Sequence, residues 1–358
     1  MGRKGIVMSS KFGSFTQSNL GALIQSSLGN ARGVGDYGFI YTRNISLSNY
    51  RVTKYKNGVN TYMSSQNLEA IDITEFDGKL WIVCPDGVYY WDSGASSFVK
   101  DLSITAGGIV DSMFFEFDNK LGVTIGNSTF VDGSGASRTG VAYRTSGGSW
   151  YTYDAGAGAS IQFASEALNT VTFAGVVTGN NSELYLSGDN YSWSTLLWDG
   201  SSFDDNPQGS GILTDGPSNN IYSVIPDGSG RLYHFGEHVN TNANPPFIDD
   251  TGCYRANGIG SGSSQVIINN CTDAIEYDGT IYAMSGNLYT ISGLNVTLDA
   301  SLGEAGGKFA VSTGDNPELY VSTWSSISKY TGSAFEQILA NVFSGSSFRG
   351  LYFPSKDY

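Results

Sequence analysis

The chain has 358 residues, a formal net charge of −14 and a sequence pI near 4.4, so most of its surface repels a polyanion and nucleic-acid binding is disfavoured. Its 47 glycines, 22 tyrosines and only 15% charged residues suit short strands and tight turns better than helices. An aromatic content of 13% argues against intrinsic disorder.

Residues 1–35 read differently from everything after them. They are polar and rich in Gly and Ser, with one apolar patch at Leu20, Leu23, Ile24 and Leu28, and are expected to form an arm outside the repeating part of the chain. No apolar run follows Arg3 and Lys4 as a secretory signal requires, and no window approaches a membrane span. Synthesis in a reducing cytoplasm, without membrane insertion, is therefore expected. The three cysteines agree: Cys84, Cys253 and Cys271 form no CxxC pair, and Cys84 sits inside an apolar strand. The sequence leaves open whether Cys253 and Cys271 pair.

From Tyr37 a β pattern begins, and Asn57-Gly58 between RVTKYK and VNTYM is a hairpin signal. The stretch Thr74–Val99 is the most regular unit. Asp77-Gly78, Asp86-Gly87 and Asp92-Ser93-Gly94 separate runs of alternating apolar residues, which predicts an antiparallel meander whose aspartates serve the turns.

Echoes of this unit recur to the C-terminus. A Leu/Ile–aromatic pair appears at Leu80-Trp81, Leu184-Tyr185, Leu232-Tyr233, Ile281-Tyr282, Leu319-Tyr320 and Leu351-Tyr352, with Leu121-Gly122 as a degenerate copy. The preceding residues match as well, in EFDGKLW, EFDNKLG and EYDGTIY. Successive pairs lie about 30–60 residues apart, the spacing of propeller blades with unequal loops. The expected fold is all-β, a β-propeller over residues 36–358. It has seven blades, or six if the 110–170 stretch is irregular. The last copy is too short for a sheet and the strands around 37–62 have no pair, so joining the two termini in one blade completes both and removes an open edge. Insertions at 132–160, loop-like apart from two short aromatic strands, and at 237–264 read as long loops.

This organisation resembles β-propeller repeat proteins as a class, without the Gly-His to Trp-Asp pattern of WD repeats or the Gly-Gly pattern of kelch repeats. In layout it is also similar to the nozzle or hub type of bacteriophage tail propellers: a polar arm, then YTRNISLSNYRVTKYKNGVNT, then irregular repeats. That resemblance implies a non-enzymatic virion component, made in the host cytoplasm and needing no cofactor. Its partners would be other virion or assembly proteins, or further copies in a ring.

Residues that could carry chemistry were weighed against simpler roles. His234 and His238 fall four apart but in a strand rather than on a helix, so they do not converge as zinc ligands. Asp204-Asp205 and Asp249-Asp250 could supply calcium oxygens or an acid–base pair, yet neither shows the DxDxDG ladder, and acids favour turns. The run Ser187–Trp193 departs from the sialidase Asp-box, and no GxSxG elbow or phosphate loop is present. Aromatic residues are the remaining lead. Trp150, Tyr151, Tyr153, Tyr191, Trp193 and Trp198 could form a rim platform for glycans or proteins, or simply pack across strands. A lectin-like propeller is therefore the alternative function, and a hydrolase or lyase using Asp249, Asp250 or His234 the third.

Overall fold

The structure is a computed structural model. It describes residues 37–46, 49–105, 113–152, 273–293, 295–302, 308–313, 316–323, 325–340 and 348–358. Between 153 and 272 it describes the strands, with the side chains of Ile225 and Tyr233. The arm expected at residues 1–35 lies outside the described residues.

Thirty strands build seven four-stranded antiparallel sheets and one two-stranded ladder. The terminal sheet joins β1 (Phe39–Ser46), β2 (Asn49–Lys56) and β3 (Val59–Tyr62) to β30 (Phe348–Tyr352). The second sheet is β4 (Asp72–Phe76), β5 (Lys79–Cys84), β6 (Gly87–Asp92) and β7 (Ser97–Ser103). The third is β8 (Phe114–Phe117), β9 (Lys120–Val131), β10 (Ser137–Arg144) and β11 (Trp150–Tyr151). A short ladder of β12 (Gln162–Phe163) and β13 (Glu166–Ala167) follows. The fourth sheet is β14 (Phe173–Val177), β15 (Glu183–Ser187), β16 (Thr195–Trp198) and β17 (Phe203–Asp204). The fifth is β18 (Asn219–Pro226), β19 (Leu232–Asn240), β20 (Phe247–Ala256) and β21 (Ser263–Val266). The sixth is β22 (Asp273–Tyr277), β23 (Thr280–Met284), β24 (Asn287–Ser292) and β25 (Asn295–Ser301). The seventh is β26 (Lys308–Val311), β27 (Leu319–Ser322), β28 (Ser326–Tyr330) and β29 (Phe335–Ala340). Sheets that are locally connected meanders and pack face to face make the chain a β-propeller.

Local chemistry sets the meanders. Asp77-Gly78 and Asp278-Gly279 both have two successive positive φ values, 48° and 69°, and 50° and 73°. That is the backbone of a two-residue hairpin whose twist matches the flanking strands. Asp118-Asn119 does the same at 52° and 54°, using the tolerance of Asp and Asn for left-handed backbone. Asp92 works differently: its Oδ1 accepts from the N–H groups of Gly94 (2.9 Å) and Ala95 (3.2 Å). The aspartates expected in turns are turn residues.

Strand alternation then packs sheet on sheet. Leu80 and Ile82 join Ile40, Val52, Ile73 and Tyr352 between the terminal and second sheets, whereas Trp81 and Val83 join Leu121, Val123 and Trp150 between the second and third. In six sheets the Leu/Ile–aromatic pair occupies the second strand from the innermost, with Leu121-Gly122 completing the set. Leu351-Tyr352 departs from this, since it lies in the innermost strand β30. Its alternation is the same, with Leu351 and Tyr352 reaching opposite neighbours. The degenerate Gly122 has a physical cause. A Cβ there would lie 2.2 Å from the ring of Phe115, its cross-strand partner, so the bulky group has moved from the second strand to the first.

The ends of the chain meet in the terminal sheet. Ile40 pairs with Tyr352 and Arg43 with Phe348. The last residues then reach the second sheet. Glu75, only 5% exposed, accepts from Ser355 N–H (2.6 Å), Ser355 Oγ (3.0 Å), Tyr358 Oη (2.6 Å) and Tyr352 Oη (3.3 Å). Lys356 Nζ donates to Gly78 O at 2.5 Å, while Asp357 pairs with Lys54 and Lys56 of β2. The tail thus fastens β2 to the β4–β5 hairpin.

Removing the Glu75 carboxylate leaves its buried donors unmatched, at about 1–3 kcal/mol each. Glu75→Ala is expected to lower stability by about 3 kcal/mol or more in denaturant titration, and Tyr358→Phe by about 1 kcal/mol. Burial, then the neighbouring Glu75 carboxylate, push the Tyr358 phenol well above its ordinary value. A phenol raised in the folded state contributes stability that is complete below pH about 10 and is lost as pH rises further. Melting temperature should accordingly fall less steeply above pH about 10 in Tyr358→Phe than in the parent.

Candidate functional site

Each sheet runs outward as a meander, so hairpins joining second to third strands leave one rim and the remaining hairpins leave the other. On the first rim the β1–β2 and β19–β20 hairpins are built from strands of eight to ten residues, against four to six in the second, fourth, sixth and seventh sheets. Ser187 of β15 pairs with Thr195 of β16.

The β9–β10 hairpin behaves differently. Its ladder is interrupted at Gly126 and Gly140, both at positive φ, and its outer half folds back over the sheet. There Gly133 N–H donates to Trp150 O at 2.8 Å, and a Cβ on Gly133 would lie 2.5 Å from Tyr151 Oη. Asp132 holds the bend rigid. Its carboxylate accepts from Ser134 N–H (2.9 Å), Ser134 Oγ (2.6 Å), Ala136 N–H (2.9 Å) and Arg138 Nε (2.8 Å). Burial alone would raise this carboxyl, but the bonds from Ser134 and Arg138, with two backbone N–H groups, hold it well below the usual carboxylate range. The two short aromatic strands expected within the 132–160 stretch are β10 and β11, with β10 extending back to Ser137 and making more of the hairpin regular. Two glycine kinks let it double back, and composition alone does not show that.

The aromatic residues divide. Trp150 is 4% exposed and belongs to the core, which corrects its expected place on a binding platform. Its indole N–H donates to Asp101 Oδ2 at 2.9 Å, and its ring meets Trp81 edge-on at 6.5 Å. Asp101 also accepts from Arg144 Nε at 2.8 Å, and Arg144 lies 5.1 Å over Trp81. Trp150 thus closes a seam between two sheets. Tyr151 is half-buried beneath the folded-back hairpin and stacks 6.2 Å from Tyr143. Trp198 lies in β16 opposite Leu184 and Phe203. Tyr153, Tyr191 and Trp193 lie outside the described residues.

Asp204, Asp249, Asp250 and both histidines are strand residues, and Asp205 lies outside the described residues. His238 stands opposite Asp250 in the β19–β20 ladder, and Asp249 is the extra residue of a bulge beside it. His234 stands opposite Tyr254. Cys84 is free and buried, and Cys253 lies in β20 opposite Phe235. Cys271 lies outside the described residues.

Two groups of residues went unremarked in the sequence. Asp72 opens β4 and accepts from Phe114 N–H of the next sheet at 2.7 Å; Asp273 opens β22 and accepts from Phe309 N–H of the next sheet at 2.8 Å. The signal was available, since DITEFDG and DAIEYDG share the aspartate three residues before the glutamate. The second group is the pair Arg43 and Arg51, directly opposite each other near the β1–β2 end of the first rim.

No protein-family model matches the chain, and no curated protein matches it. Among solved structures it is similar to the tricorn protease, at 14% identity and a TM-score of 0.42, over 77% of this chain and 27% of that one. It is also similar to the acylaminoacyl peptidase of Pyrococcus horikoshii, at 12% identity and 0.40, over 88% and 53%. A third is the extracellular domain of BT4673 from B. thetaiotaomicron, at 11% and 0.33, over 83% and 45%. The chain spans about half or less of each of these proteins. The likeness is too distant to bear on activity, and the propeller assignment rests on the sheet topology.

Trp150→Ala is expected to cost about 3–5 kcal/mol in denaturant titration, as a buried tryptophan does. Asp132 contributes stability that is present above the ordinary carboxylate value of about 3.9 and is lost as pH falls below it. Asp132→Asn should be less stable at pH 7 and lose less on acidification towards pH 2, read by thermal melts across that range.

Proposed function

We propose that this chain is a non-enzymatic assembly scaffold, a component of a bacteriophage virion tail. On this reading its seven four-stranded sheets are the blades of one ring, shut by β30 beside β1. The observation that carries the scaffold reading is the use made of the buried and half-buried acids. Glu75, Asp72, Asp273, Asp101 and Asp132 each accept hydrogen bonds that join one sheet to another, fasten the tail or fix a turn. Their chemistry is spent on holding the molecule together, as a part that must stay rigid within a larger assembly requires. The tail assignment rests on layout, the polar arm of residues 1–35 followed by irregular repeats. Antibody labelling of purified virions by electron microscopy tests it. Label on the tail is expected, and absence of the chain from intact virions would contradict it.

A second reading, glycan recognition through Tyr191 and Trp193, is supported by the sequence alone. Glycan recognition there predicts array binding that Trp193→Ala abolishes, and a blank array with the parent chain would set the reading aside.

A further inference from the structure

Of nine arginines in the sequence, four have described side chains, and they fall into two kinds. Arg138 and Arg144 each meet a carboxylate, Asp132 and Asp101, at 2.8 Å. Arg43 and Arg51 meet none among the described residues. Yet they are cross-strand partners in β1 and β2, and like charges directly opposite on one face repel. In a chain with a net charge of −14, two cations placed side by side without an internal counter-ion need an account.

Their hydrogen bonds sharpen the point. Arg51 uses a single nitrogen, Nη1, for Asn49 Oδ1 (2.5 Å), Tyr50 O (2.9 Å) and Gln66 O (3.3 Å), leaving Nε and Nη2 unengaged among the described residues. Arg43 Nε is buried and has no hydrogen-bond partner among the described residues, while the rest of its guanidinium faces the Tyr41 phenol. Strand alternation puts Arg43 on the side of Phe39 and Tyr41, which pack against Ala310, Tyr320 and Ile327 of the seventh sheet. Asn49 and the backbone carbonyls therefore fix one guanidinium in place beside another that has an unused donor.

We infer that Arg43 and Arg51 form an oxyanion clamp at the seam of the terminal and seventh sheets, taking a carboxylate or phosphate group from outside the chain. Two planar forks side by side offer several N–H donors to one oxyanion, the geometry in which arginine outperforms lysine. The anion also removes the repulsion between the pair, so occupancy stabilises the sheet. The site goes beyond the scaffold reading, and its test needs only the purified full chain. Failure here leaves the virion assignment standing, and absence from virions leaves the clamp standing.

The test is the melting temperature of the full chain titrated with sodium phosphate, sodium acetate or sodium chloride at matched ionic strength. Phosphate or acetate should raise it by about 2 °C or more over chloride, and which of them does so identifies the source. Arg43→Gln and Arg51→Gln should each abolish that rise. Arg43→Gln should be no less stable than the parent in chloride, because repulsion is relieved, which a merely structural arginine would not show. If either glutamine variant fails to fold, Arg43→Lys keeps the charge without the fork and should bind more weakly. Equal responses to all three salts, or a full phosphate or acetate response in the variants, would overturn the inference.

Discussion

The contact on which the rest depends is the pairing of β30 with β1, two strands separated by almost the whole chain. Without it β1 presents an open row of backbone donors and acceptors, and the terminal sheet loses its innermost strand. Bringing such distant segments together costs loop entropy that local hairpins do not incur. The ladder is therefore reinforced by side chains. Glu75 gathers the Ser355, Tyr352 and Tyr358 donors, and Lys54 and Lys56 hold Asp357, so the tail grips both the sheet it ends in and the next one.

The same economy runs between the other sheets. Apolar alternation supplies the bulk of each seam, and one or two polar bonds fix its register. Asp72 and Asp273 lie at equivalent places in the repeat and each binds the N–H at or next to the start of the next innermost strand. Tyr233 Oη donates to Gly293 O across the seam of the fifth and sixth sheets, and Tyr277 Oη to Pro317 O across the seam that Asp273 also bridges. A buried acid that receives backbone N–H groups is rigidly held and poorly placed to exchange protons with a substrate. Among the described residues the buried side-chain atoms left without a hydrogen-bond partner are the hydroxyls of Thr42 and Thr152 and the Nε of Arg43.

Much of this was legible in the sequence because hairpin chemistry is local. Asp77-Gly78, Asp278-Gly279 and Asn57-Gly58 announce their turns, and the alternation around Leu80-Trp81 marks which residues reach which neighbour. The union of the two ends followed from counting incomplete repeats. What escaped was non-local. Nothing next to Trp150 in sequence says that a hairpin kinked at Gly126 and Gly140 will cover it, and an aromatic without a visible partner looked available. Nor does the spacing of Arg43 and Arg51 reveal that a β1–β2 register sets them face to face, since that register depends on a bulge between Asn44 and Ser46. Asp72 was readable only by aligning the repeats three residues upstream of the part that drew attention.

The β1–β30 ladder and the bonds from the tail hold β1 and the β4–β5 hairpin in place. Hydrogen–deuterium exchange on the full chain and on a chain ending at residue 347 tests this most directly. Amides of Ile40–Asn44 and Asp72–Phe76 should be protected in the first and lose most of that protection in the second. Equal protection of these strands in both would contradict the account.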